Sequence, residues 1–289
     1  MTTDKSKERP LVSFDWALKR LLRNKASFEV VEGFLSVLLG RQITVTGILE
    51  SESNKEHPDD KFNRVDVVVE DDAGEIILIE LQFIMEMDYF HRMLYGTSKA
   101  VVDNMVKGTP YVKIRKIYSI NIVYFDLGQG TDYVYNGRTE FKGMHSHEIL
   151  QLSVAQREKF GKTDVGDLYP EYYILKINNF DDVAKTPLDE WIYFLKHDRI
   201  RENFHAQGLR KALELLDYSR LSPEEKAEFD YEWSIKSHNL SQMATSLETG
   251  RLEAKKVIEE KDKTIEEQAK AIEERDREIE ELKRLLSTK

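Results

Sequence analysis

Cysteine is absent from the 289 residues. That excludes a disulfide framework, a thiolate metal site and a thiol nucleophile together, and a reducing cytoplasm is the compartment it suits. No run of apolar residues approaches the 18 or so that would cross a bilayer. The opening "MTTDKSKERP" is polar and lacks the charged, apolar and small-residue parts of a secretory signal. No arrangement of a serine nucleophile with a histidine base stands out in the sequence, although Ser146 lies between His145 and His147 and Ser237 precedes His238, so a covalent hydrolytic route is not visible. An excess of positive charge is missing too. The net charge is −10, which argues against a basic, sticky nucleic-acid binder because such affinity comes from Lys and Arg neutralising phosphates. Basic clusters remain locally in "KRLLRNK" (19–25) and "KIRK" (113–116). With 40% hydrophobic residues, the chain can bury a substantial core.

The stretch "RVDVVVEDDAGEIILIELQ" (64–82) stands out. Val65 to Val69 and Ile76 to Ile79 are rich in β-branched residues and flank a polar segment containing Gly74, the pattern of a hairpin. A loop centred near Ala73 sets Asp66 opposite Glu80, and the two-residue period puts Gln82 on the face of Glu80. Directly opposed side chains have Cβ atoms about 4.5–5.5 Å apart, where like charges repel. A positive group is expected between the acids, and a hard divalent cation such as Mg²⁺, which takes carboxylate oxygens plus water, suits them. The other reading leaves both acids in solvent at the strand ends.

Around the hairpin, residues 13–39 repeat apolar side chains at helical spacing and Gly40 is a stop, giving one long helix or two joined near Asn24. "ITVTGILE" (43–50) alternates like a strand and 53–63 is a polar loop. Residues 85–108 read as a helix closed by Gly108, and 116–127 as a central strand. The order helix, strand, strand, strand, helix, strand specifies an α/β (α+β) fold, a mixed central sheet flanked by helices. Further on, "TDYVYNG" and "EYYILKI" are strand candidates, and 187–197 and 222–229 helix candidates. His145 and His147 sit two apart, either as metal ligands on one side of a strand or in a solvated loop.

The composition turns at about residue 250 to Glu, Lys, Arg and Ile, which divides the chain into 1–249 and 250–289. Ile258, Ile265, Ile272, Ile279 and Leu286 recur every seven residues, a heptad seam for a coiled coil and a homo-oligomer. Lys261, Gln268 and Arg275 fill the other core position, so a solvated helix held by charge pairs competes with that reading.

Taken in order, "FDWALKRLL", the hairpin, "YFHRMLYGTSKAVVDNMVKGTPY", "IYSINIVYFD", "DEWIYFL" and "SLETGRLEAKK" resemble the PD-(D/E)XK nuclease superfamily. The resemblance is closer to its bacterial recombination-promoting nuclease and transposase branch, and covers most of the chain. It implies a restriction-endonuclease-like core and a metal-dependent DNA endonuclease that hydrolyses phosphodiester bonds with Mg²⁺ or Mn²⁺, with a role in DNA recombination or transposition. Asp66 is then similar to the metal-binding Asp and Glu80 to the second acid. Gln82 stands where the superfamily usually has Lys; a neutral amide positions by hydrogen bonding but brings no charge to the phosphate. Glu32 on the first helix is a third metal ligand or a base by the same resemblance, against an exposed helix acid. Arg92, Tyr95 and Lys99 share a helix face and are candidates to grip phosphate or stack on a base, with Tyr95 alternatively in the core. The acidic charge, the missing Lys and the heptad tail favour a second possibility, a degenerate nuclease fold acting as a protein-interaction module.

Overall fold

The computed structural model describes residues 11–14, 16, 28–49, 67–106 and 108–287. Asp66, the polar loop 53–63 and the middle of the first helical segment lie outside the described residues.

Helix α1, Phe28–Leu39, is followed by Gly40 at φ +65°, a conformation that glycine adopts without a Cβ penalty and that stops the helix. Three antiparallel strands come next, β1 (Val45–Leu49), β2 (Val67–Asp71) and β3 (Ile76–Gln82). Val67 faces Ile79 and Glu70 faces Ile76, a hairpin centred on Ala73 as the residue pattern requires. Helix α2, Tyr89–Asp103, crosses over from β3 to β4, Ile117–Val123, which pairs parallel with β3. β5 (Val134–Gly137), α3 (Val154–Phe160) and β6 (Glu171–Lys176) follow. β6 lies parallel to β4 and β5 closes the edge, so the sheet order is β1-β2-β3-β4-β6-β5. This is the mixed sheet flanked by helices that the order of elements specifies.

The helix expected over 85–108 is shorter than its sequence pattern. Its buried residues are Tyr89, Met93, Gly96, Thr97 and Ala100. Val101 still packs on the sheet, but Val102 is exposed, and the helix ends at Asp103 rather than running to Gly108. Residues 83–88 form a loop before it.

Both faces of the sheet are covered. Ile77, Ile79, Ile120, Ile122 and Leu175 point to a core shared with Val30, Val31, Phe34 and Leu35 of α1 and with Trp191, Ile192 and Phe194 of α4, Pro187–His197. Ile76, Leu78, Ile117 and Val68 point the other way, with Ala100 of α2. Tyr89 and Met93 pack there on Val123 and Phe125. Against α1 lies the turn before α5, Leu209–Leu215: a Cβ on Gly33 would come within 2.5 Å of the Gln207 carbonyl oxygen, so only glycine permits that approach.

The chain divides into two compact units at Asp230/Tyr231. Helix α6, Pro223–Ser287, is continuous through the composition shift at residue 250. Its heptad residues Ile258, Ile265, Ile272, Ile279 and Leu286 are exposed. So are the charge pairs of the competing reading, among them Glu266 with Lys270 at 3.3 Å and Glu273 with Arg277 at 2.6 Å. Among the described residues, no helix is long and apolar enough to cross a membrane.

Candidate active site

β3 is the strand that sets the site. It is flanked by β2 and β4, and six of its seven residues are buried. Burying an aliphatic side chain contributes about 1.5–3 kcal/mol, whereas a buried charge without a partner costs several kcal/mol. Such a strand therefore tolerates an acid only beside a cation. Glu80 is 6% exposed, and Arg92 of α2 supplies the cation, with Nη2 2.5 Å from Glu80 Oε1. A positive group expected beside these acids is present at Glu80 as the Arg92 side chain; the other acid, Asp66, lies outside the described residues.

Gln82 and Glu80 are on the sheet face that α2 covers. The Gln82 amide donates to the Ile84 carbonyl at 3.0 Å and to Glu86 Oε1 at 2.9 Å. Arg92 Nη1 donates to both oxygens of Glu86, at 2.9 and 3.1 Å. Burial pulls the Arg92 guanidinium down, but the charge of Glu80 and the bond to Glu86 outweigh it and hold it above the usual arginine value. It stays charged at any working pH. Beside Glu80 on β4 is Asn121, 1% exposed, which accepts from the Tyr89 hydroxyl at 3.2 Å and donates to the Tyr173 carbonyl at 3.3 Å. These bonds give the strand neighbour of Glu80 a fixed orientation.

The other candidates are placed elsewhere. Glu32 accepts from the Val45 amide at 2.8 Å, and Val45 is opposite Asp71, at the loop end of the hairpin. α1 packs on the sheet face opposite to the one Glu80 occupies. Counted along β3 from the level of Asp71, Glu80 is about 16 Å away at about 3.3 Å per residue, so the structure does not bring Glu32 to Glu80. Tyr95 is 42% exposed and therefore outside the core. Lys99 bonds Asp103 at 3.4 Å one turn on. His145 and His147 are exposed in a turn, and the described residues contain no group of three or more His, Asp or Glu able to hold a metal.

Two members of the cluster were missed in the sequence. Glu86 was read as part of a helix, and only its place in the loop, six residues before Arg92, lets it turn back to Gln82. Asn121 left a signal, a polar residue inside the apolar run "INIV".

Glu80 is a buried carboxylate at the strand end, and Mg²⁺ and Mn²⁺ prefer carboxylate oxygen and need only one or two protein carboxylates; an ion held there would share Glu80 with the Arg92 guanidinium. The acids at the loop end are more heavily engaged. Asp71 and Glu75 are taken by Arg41 at 2.8 and 2.5 Å, and Glu75 also by Lys162 at 2.5 Å.

Neither a curated protein nor a solved structure matches the chain. The family model described as PD-(D/E)XK nuclease family transposase matches residues 12–160, just over half of the sequence, from the start of the first helical segment through β3, α2 and β4 to the end of α3. With the helix, three-strand, helix, strand order in place and an acid and amide at the end of β3, the chain belongs to the PD-(D/E)XK nuclease family transposases.

Proposed function

We propose that the protein is a metal-dependent DNA endonuclease that hydrolyses phosphodiester bonds in recombination or transposition, with Asp66 and Glu80 as the metal-holding pair. The observation that carries this reading is the buried Glu80 at the end of β3, matched to a cation and followed two residues later by Gln82 on the same face. A divalent ion there, Mg²⁺ or Mn²⁺, supplies Lewis acidity to the phosphate and to the attacking water. The residues of the chain do the rest. Gln82 orients by hydrogen bonding, without the charge of a lysine. Arg92, permanently cationic, is the group able to stabilise charge that develops on the phosphate. Tyr95 and Lys99, further along α2, extend the contact to the DNA backbone. The isoleucine stripe of α6 is the proposed surface for association with a second copy.

A second reading, an inactive scaffold for partner proteins, is favoured by the engagement of the Gln82 amide with Ile84 and Glu86. Plasmid nicking separates the two. Wild type nicks supercoiled DNA with Mg²⁺ or Mn²⁺ and not in chelator, and Asp66→Asn and Glu80→Gln lose the activity while keeping the circular dichroism of the wild type. Absence of any divalent-dependent nicking by wild type leaves the scaffold.

A further inference from the structure

Resting on the nuclease reading, we infer that the Glu86 carboxylate occupies the binding position of the phosphate group of DNA, a subsite gripped by Gln82 and Arg92, and that the phosphodiester displaces it. The donors of the motif converge on this acid. Gln82 Nε2 lies 2.9 Å from Glu86 Oε1, and Arg92 Nη1 lies 2.9 and 3.1 Å from its two oxygens. A carboxylate and a phosphodiester both present charged acceptor oxygens, and Arg92 Nη1 and Gln82 Nε2 can donate to either. A group that satisfies Arg92 and Gln82 together is therefore shaped like the ligand they would take.

Two features make Glu86 the exchangeable partner of Arg92 and Glu80 the fixed one. Glu80 is buried in the central strand, whereas the Glu86 side chain is 33% exposed, in the loop between β3 and α2. Glu86 can thus swing into solvent at little cost in burial. Replacing its single negative charge by that of a phosphodiester leaves the charge around Arg92 unchanged and restores the same bonds. Glu86 and a phosphodiester cannot use the same Arg92 Nη1 and Gln82 Nε2 donors at once, so binding of the one requires release of the other. The pair Gln82 and Arg92 then divides the work of the absent lysine, the amide giving direction and the guanidinium charge.

The alternative is that Glu86 is a staple that merely holds its loop. Titration of a fluorescently labelled DNA duplex with the full-length protein in chelator, read by anisotropy, measures binding with no turnover. Glu86→Ala is expected to bind about tenfold more tightly than wild type, equivalent to about 1.4 kcal/mol. Asp88→Asn removes one charge from the same loop, and its side chain makes no cap bond to α2; it is the control for general electrostatics, expected to change affinity by less than about threefold. The gain should vanish in Gln82→Ala/Glu86→Ala and in Arg92→Ala/Glu86→Ala. If Glu86→Ala does not fold, the isosteric Glu86→Gln is expected to bind more tightly in the same way. Binding no tighter than Asp88→Asn, or a gain that survives loss of Gln82 and Arg92, overturns the inference while divalent-dependent nicking by wild type leaves the nuclease standing. If wild type neither binds nor nicks DNA, both fall.

Discussion

Arg92 Nη2 lies 2.5 Å from Glu80 Oε1, a charge pair between the crossover helix and the central strand. Removing the arginine strands a carboxylate whose side chain is 8% exposed. Arg92→Ala should destabilise the apo protein by about 1–3 kcal/mol, below the value for fully buried pairs because the arginine is partly solvated. For a domain of this size that is about 2–4 °C of melting temperature per kcal/mol. Added Mg²⁺ should raise the melting temperature of Arg92→Ala more than that of wild type, at matched ionic strength, because the ion replaces the missing charge. Equal melting of the two proteins in chelator would show that the pair is not coupled to stability.

Glu32 and Glu80 should respond differently to the same chemical change. Glu32→Gln keeps an oxygen to accept the Val45 amide and is expected to retain nicking within about threefold. Glu80→Gln is expected to lose more than about 10²-fold, as removal of a group that stabilises the transition state does. Initial rates on supercoiled plasmid decide between them, and a Glu32→Gln loss as large as that of Glu80→Gln would place Glu32 in the chemistry after all.

Asp189 gives the fold an acid-sensitive point. It closes the capping box of α4 with Thr186 and accepts from the Lys185 and Thr186 amides at 2.9 and 2.8 Å and from the Tyr133 hydroxyl at 2.8 Å. Burial pushes its carboxyl up, but the amide and hydroxyl bonds outweigh it and hold it below the usual aspartate value. On the other side of the bond, burial and Asp189 push the Tyr133 hydroxyl up to about 12. A carboxyl depressed in the folded state stabilises fully above its unfolded value of about 3.9, and that contribution is lost as pH falls through the lower folded value. Asp189→Asn should therefore cost about 1–2 kcal/mol at neutral pH. The gap from wild type should narrow below about pH 4. Urea unfolding from pH 7 down to the acid limit of the fold tests it, and a gap that stays constant would rule out the ionised cap as the cause.

The tail is tested by truncation after Thr249. If the exposed isoleucines of α6 associate, light scattering finds fewer subunits per particle in the truncated protein, and the sheet domain keeps its melting transition. An unchanged subunit number makes the stripe one face of a solvated helix, supported by its Glu–Lys and Glu–Arg pairs.

Local pattern was enough for the hairpin. The β-branched runs on either side of "EDDAGE" leave only one register that keeps Val67, Ile77 and Ile79 buried, since a slip of one residue would turn every side chain to the other face. Period and stop signals likewise determined the element order from α1 to β4 and the heptad stripe of α6. Tertiary structure decided what those elements bring together. Whether Glu32 reaches Glu80 depends on which face of the sheet α1 covers, and whether Arg92 reaches it depends on the face taken by α2. Glu86 joins Gln82 and Arg92 only because the chain leaves β3 in a loop and enters α2 at Tyr89. The placement of β6 between β4 and β5 is likewise a pairing of distant segments. Side-chain periodicity records which face of its own element a residue occupies; the partner across that face is chosen by long-range packing, whose energy belongs to pairs of elements and is written in neither one alone.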